Sequence, residues 1–279
     1  MMIDAHQHFW NPARGDYDWM PMDNAILARA YGPAELTPHL KHHGIHATVL
    51  VQAAATINET EYMLGLADAT PYVAGVVGWI DFEKPDDLAQ LRRLAEHPKF
   101  VGVRPMIQDI PDDDWMLRAD IQWAFAAVCE LDITFDALGF PRHLANFHTL
   151  FTRYPSMRVV IDHCMKPQIR DHTEDNFSFW ADGMAKIASD TTAFCKYSAL
   201  VTEAKEGWTA DDLRPYVDHV FNAFGPERMI WGSDWPVSRL ARGYDDWREA
   251  ALNLTEHLSE AEKAAVYGGN AKSFYRLEV

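Results

Sequence analysis

His6 and His8 stand two residues apart at the end of an apolar run, Met-Ile-Asp-Ala-His-Gln-His. If that run is a strand, alternation sends both imidazoles to one face, which makes half of a metal or proton-transfer site. A pair of hydrogen-bonded core histidines is the plainer alternative. His163 closes a second apolar run, Val-Val-Ile-Asp-His, and Asp234 closes a third in Ile-Trp-Gly-Ser-Asp-Trp-Pro. An ionisable group at the end of a buried strand costs desolvation energy unless it is partnered, so these four are expected to converge. Asp234 could instead cap the following turn, with Pro236 just inside it. Alternation puts Asp162 on the face opposite His163, outside the site. Arg104 ends Phe-Val-Gly-Val-Arg, where a guanidinium can hold a carboxylate or carbonyl oxygen, or make a rim salt bridge. Lys196 and Ser198 share a face of Cys-Lys-Tyr-Ser, and either Lys196 or Lys166 could be a structural ion-pair partner. His39, His42 and His43 come just before Gly44, which reads as the capped end of a helix rather than a metal cluster.

The elements that must position these groups follow from periodicity. Eight apolar, β-branched runs occur at 2–6, 47–52, 73–80, 100–104, 133–138, 158–163, 193–198 and 229–234. Helical spacing of apolar residues fills the intervals at 35–43, 59–69, 85–96, 121–131, 144–154, 177–188, 210–224 and 245–257. Strict alternation with continuously apolar strands predicts an α/β fold, a (β/α)8 barrel in one domain over 1–279. A doubly wound open sheet is the alternative. Two connections are long, 9–33 after the first strand and 106–118 after the fourth, on the side where barrels build their sites. Trp10, Trp19, Trp115 and Trp235 lie in segments on that side. A terminal helix at 259–275 opens with the capping-box pattern Ser259 to Glu262 and is expected on the barrel exterior.

Composition narrows the function classes. Hydrophobic residues at 48% and charged residues at 24% predict a packed globular core. The 25 basic and 41 acidic side chains leave a net charge of −16, which argues against nucleic acid or an anionic membrane as partner. No apolar run is long enough to span a bilayer and the N-terminus lacks a signal-peptide pattern, so residence in the cytoplasm is expected. Cys129, Cys164 and Cys195 read as reduced, structural thiols.

Several short motifs carry a resemblance: His-Gln-His-Phe-Trp at 6–10, Gly-Val-Arg at 102–104, Asp-His at 162–163, and Cys-Lys-Tyr-Ser-Ala-Leu at 195–200. To these add Gly-Ser-Asp-Trp-Pro at 232–236 and Gly-Asn-Ala-x-x-Phe-Tyr at 269–275. In this order the chain resembles the lactonase branch of the amidohydrolase superfamily over essentially its whole length. Segments 14–19, 76–81 and 106–109 are most similar to sugar-lactone hydrolases of the L-fuconolactone and L-rhamnonolactone kind. The resemblance implies that Asp234 activates water, that His6, His8 and His163 surround the scissile carbonyl, and that Arg104 contacts substrate.

It also implies a small-molecule lactone as partner; Trp10, Asp81, Gln108, Trp115 and Trp235, in the segments after strands, join Arg104 as candidate substrate-binding positions. Asp81, Gln108, Asp109 and Trp115 favour a neutral polyol, whereas Arg142 keeps an anionic substrate open. Binuclear relatives need a carboxylated lysine, and the fifth run offers Phe135 and Asp136 instead, so two metals are not expected. One Zn2+ on His6, His8 and Asp234, or no metal at all, both stay open. Pro105 and Ala199 depart from the histidine and glycine of close relatives. The alternative activities are a lactonase for pyrone-type dicarboxylates and a zinc-dependent decarboxylase on the same barrel.

Overall fold

A computed structural model describes all 279 residues. Its sheet has eight parallel strands in sequential order. They are β1 (Ile3–Gln7), β2 (Ala47–Val51), β3 (Val73–Gly78), β4 (Phe100–Val103), β5 (Thr134–Ala137), β6 (Arg158–Ile161), β7 (Phe194–Tyr197) and β8 (Met229–Trp231). Each of the expected apolar runs holds one strand. The barrel closes past the end of β8, where Gln7 pairs in parallel with Trp235. There the Asp234 N–H donates to the His6 carbonyl and the His8 N–H to the Trp235 carbonyl, both at 2.7 Å.

Helices follow the strands at Pro33–His42, Ile57–Ala69, Leu88–Ala95, Gln122–Glu130, Leu144–Arg153, Glu174–Asp190, Ala210–Phe224 and Tyr244–Leu254. Their apolar faces cover the outside of the sheet; Ala210–Phe224, for example, buries Leu213, Val217, Val220 and Phe224. No helix is long and apolar enough to cross a membrane. His39 and His43 tie their helix to the last barrel helix through Asp245, at 3.0 and 2.8 Å, with both rings stacked on Tyr244.

The C-terminal segment departs from expectation. Ser259 and Glu262 do form a capping box, but the helix breaks into Glu260–Ala264, a π-turn at Ala265–Gly269, and Asn270–Tyr275. Gly268 is required in that turn because a Cβ there would lie 2.2 Å from the Met1 carbonyl oxygen. The break does not leave the last turn on the barrel exterior. Ala271, Phe274, Tyr275 and Leu277 pack in one cluster with Ile3, Ala47, Val49, Val77, Val160 and Ile230, closing the barrel at the end where its strands begin. Those inward-facing apolar residues would otherwise meet water.

At the opposite end the two long connections fold over the strand termini. The first doubles back on itself through a Trp10–Tyr31 bridge, and the Trp10 indole donates to the Leu27 and Arg29 carbonyls at 3.1 and 2.9 Å. Together they roof a cavity above the strand ends.

Candidate active site

A bulge in β1 sets the first imidazole. Asp4 is opposite Thr48 while Gln7 is opposite Leu50, so β1 carries one extra residue between them. Ala5 stays in the apolar interior, His6 also turns inward, Gln7 bonds Thr48 on the other face at 3.2 Å, and His8 points in again. Strand β6 turns Asp162 inward, against expectation, and still delivers His163 to the site. Val160 faces the interior, so two residues on Asp162 faces it too. His163 would then point outward, but His163, Cys164, Met165 and Lys166 all take left-handed backbone, φ +48° to +60°, and the ring swings back over the barrel end. Four consecutive non-glycine residues in that region carry strain of about 1 kcal/mol or more each, as functional sites often do.

Asp234 also has a positive φ, +54°, and does not cap a helix. Its Oδ1 lies 3.1 Å from His8 Nε2, 3.7 Å from His6 Nε2 and 4.0 Å from His163 Nε2. The four side chains, with His8 and Asp234 226 positions apart, thus surround one point, and Asp234 and His8 are each 4% exposed. His8 Nδ1 donates to the Val51 carbonyl at 2.7 Å, and His163 Nδ1 meets Ser198 Oγ at 2.9 Å. These bonds orient both rings with Nε2 toward Asp234. Burial opposes charge on Asp234, but the fields of His163 and His8 and the His8 hydrogen bond outweigh it, and its carboxyl stays below the usual range. Burial brings the His163 pKa down to about 4 against the opposing pull of Asp234 and Asp162.

Beneath this quartet lies a closed charge network. Lys196 Nζ reaches Asp136 Oδ2 at 2.5 Å, Asp162 Oδ1 at 3.0 Å and His6 Nδ1 at 3.0 Å. Arg104 Nη1 lies 3.2 Å from Asp162 and 3.3 Å from His6 Nε2, while Nη2 bonds the Gln52 carbonyl and, at 3.1 Å, its amide oxygen. Tyr275 of the C-terminal segment donates to Asp136 at 2.7 Å. Two carboxylates thus meet two cations, all buried. Burial together with Lys196 holds His6 neutral, its pKa well below the ordinary imidazole value. Burial opposes charge on Asp162 as well, but Lys196, His6 and Arg104 keep its carboxyl well below the usual range.

The cavity over Asp234 measures about 220 Å³. Arg104, Trp10 and Gln108 line it, as do Trp19, Lys166 and Leu138. Arg104 keeps one donor, Nε, without a partner. Gln108 accepts from Lys166 Nζ at 2.6 Å across the cavity mouth. Three other expected positions lie elsewhere. Trp235 is 1% exposed and packs edge-on against Phe9 and Tyr31, because the segment that closes the barrel turns its ring into the core. Asp81, after β3, and Trp115, after β4, line a neighbouring cavity. Arg142 is held outside by Asp113 at 2.8 Å.

Sequence reasoning passed over Gln52 and Glu59, and weighed Asp136 only as the residue standing in place of a carboxylated lysine. Gln52 and Asp136 are polar residues in otherwise apolar runs, which is the signal that could have found them. Glu59 is buried and accepts from the Ala53 and Ala54 N–H groups beside the cavity, and the Thr-x-x-Glu pattern at 56–59 marks it.

His6, His163 and Asp234 each offer a ligand atom, all within 4.8 Å of one another. With Nδ1 donating to the Val51 carbonyl, His8 turns Nε2 toward Asp234 at 3.1 Å, the arrangement of a ring that could share a cation with the carboxylate. The set fits one small divalent cation, with the Arg104 contact to His6 giving way; Asp136, spent on Lys196 and Tyr275, offers nothing to a second.

Residues 3–277 match the family model described as amidohydrolase. The chain belongs to the amidohydrolase family. Among the amidohydrolases it is 43% identical over 284 residues to an L-fucono-1,5-lactonase of Burkholderia ambifaria, covering 99% of this chain and 96% of that one. An L-fucono-1,5-lactonase of Burkholderia multivorans is 36% identical over 292 residues, with the same coverage, 99% and 96%. A crystal structure of a Burkholderia multivorans amidohydrolase with bound zinc superposes with a TM-score of 0.92 at 36% identity, covering 99% of both chains.

Proposed function

We propose that this amidohydrolase hydrolyses a sugar-acid lactone to the open-chain acid, with Asp234 as the group that handles the proton. The observation that carries the chemistry is one ionised, buried carboxylate ringed by three imidazole Nε2 atoms at 3.1 to 4.0 Å at the floor of a small cavity. The substrate class rests on the L-fucono-1,5-lactonases that match almost the full length of the chain.

In the proposed reaction Asp234 accepts a proton from water as the water oxygen bonds to the lactone carbonyl carbon. His8 Nε2, 3.1 Å away, shares that proton. The oxyanion of the tetrahedral intermediate faces the positive charge of Lys166 at the cavity wall, beside the Arg104 guanidinium that also lines it. Collapse breaks the bond from the carbonyl carbon to the ring oxygen, and Asp234 returns its proton to that oxygen. The second proton of the water leaves with the product acid. His6, His8, His163 and Asp234 are the residues that would hold a divalent ion such as zinc, which when bound brings the pKa of water down toward ~7.

A neutral polyol is favoured over a pyrone-type dicarboxylate because Arg104 is the one arginine lining the cavity, and most of its donors are already engaged. The free thiols Cys129, Cys164 and Cys195 support residence in the reducing cytoplasm. The test is proton release from a panel of aldono-1,4- and 1,5-lactones, with and without chelator. Turnover of at least one six-carbon lactone is expected. Activity on none of them, with carbon dioxide release from an unsaturated acid, would replace this reading with the decarboxylase.

A further inference from the structure

Beside the catalytic cavity lies a second and larger one, about 550 Å³. Trp19 and Met106 line both, so the two share a wall. The Trp19 indole is fixed by its bond to the Ala53 carbonyl at 2.6 Å and meets Trp10 edge-to-face at 5.7 Å. Trp79 forms part of another wall, and Trp115 is anchored by its N–H to Glu83 at 2.8 Å. A monosaccharide lactone held over Asp234 leaves this volume unused. Its size lies in the range of roughly 300–1,000 Å³ that small-molecule sites occupy.

Charge decides what the space can take. Asp16, Asp18, Asp81, Glu83 and Asp109 line it, and no lysine, arginine or histidine does, so an anion is repelled. Three of the five carboxylates already hold a cation. Arg14 pairs with Asp16 at 2.6 Å, Lys84 with Asp81 at 2.8 Å and Arg118 with Glu83 at 2.7 Å, each from outside the cavity. What is left is a set of acceptor oxygens between indole faces. That combination suits a neutral polyhydroxylated ring, whose hydroxyls donate to carboxylates and whose C–H face lies on an indole.

We propose that the second cavity is a sugar subsite, and that the enzyme takes aldonolactones carrying a further neutral glycosyl unit. The lactone ring occupies the catalytic cavity and the glycosyl unit lies past Trp19, against Trp79. This rests on the lactonase reading but adds a second recognition site to it.

The experiment compares kcat/KM for a monosaccharide aldonolactone and for cellobiono-1,5-lactone in the native protein, Trp79→Ala and Trp79→Phe. Cellobiono-1,5-lactone is expected to be hydrolysed at least as efficiently as the monosaccharide lactone. Trp79→Ala should lower its kcat/KM by about ten-fold or more, leave the monosaccharide lactone within about two-fold, and be largely rescued by Trp79→Phe. Calorimetric titration with cellobiose, and with glucuronate as the anionic control, reads the subsite without turnover. Cellobiose should bind the native protein and not Trp79→Ala, and glucuronate should bind neither. Monosaccharide turnover with neither hydrolysis nor inhibition by cellobiono-1,5-lactone overturns the subsite while sparing the lactonase reading. Equal loss on both substrates in both variants, or no cellobiose binding to the native protein, also overturns it.

Discussion

At the residue scale the site separates one group that moves a proton from others that hold it in place. Asp234 is ionised because the neighbouring imidazoles offset its burial, and nothing but His8 hydrogen-bonds to its carboxylate. Asp234→Asn keeps the shape and removes the base, so kcat on the preferred lactone should fall by roughly 10²- to 10⁴-fold with the thermal midpoint little changed. Stopped-assay kinetics check this, and a loss under about ten-fold would assign the proton to another group. Lys196 has a different task. It sits between Asp136 and Asp162, both fully buried. Lys196→Met would leave Asp136 without a cation and Asp162 with Arg104 alone, a loss of about 3–5 kcal/mol in denaturant unfolding. The polar ends of the strands, His6, His8, Arg104, His163 and Asp234, were legible in the sequence because ionisable groups ending apolar runs stand out. Asp162 was misplaced because the left-handed turn at His163 breaks the alternation on which that reading relied.

At the element scale, strand register and tight packing decide which side chains meet. Gly102 in β4 is opposite Thr134 in β5, and a Cβ on it would lie 2.0 Å from Thr134 Oγ1 and 2.7 Å from the Thr134 carbonyl oxygen. Since a backbone atom cannot step aside, Gly102→Ala should cost about 1–3 kcal/mol and displace Arg104 two residues on. The unfolding midpoint and the KM for lactone would both report it, and an unchanged midpoint would mean that β4 and β5 separate freely. The eight strands and eight helices were legible because each repeats its own period over several residues. The C-terminal helix was placed on the wrong surface because an amphipathic segment shows that it buries a face, not which surface it buries against.

For the whole molecule, charge and burial set the response to solution conditions. Burial pushes the Glu59 carboxyl up to about 7 from its ordinary 4.5. A raised folded-state pKa means that stability from this group is fully present below the ordinary value and is lost as pH rises through 7. The stability difference between Glu59→Gln and the native protein should therefore move in favour of the variant, by on the order of 3 kcal/mol, between about pH 4.5 and pH 8. Urea unfolding at the two pH values measures it, and a difference independent of pH would show that Glu59 does not titrate in that window. The net charge of −16 repels anions at a distance, so kcat/KM for a neutral lactone should hardly change between low and high salt, whereas an anionic lactone should gain with salt. Sequence alone determined the barrel and the polar residues at its strand ends, because both depend on short-range period and composition. Tertiary structure alone decided that Lys196 would reach His6 across 190 positions, that Asp162 would face inward, and that Trp115 would line a different cavity from Trp10. Those pairings follow from barrel closure, register and backbone turns, which act at distances that no local pattern encodes.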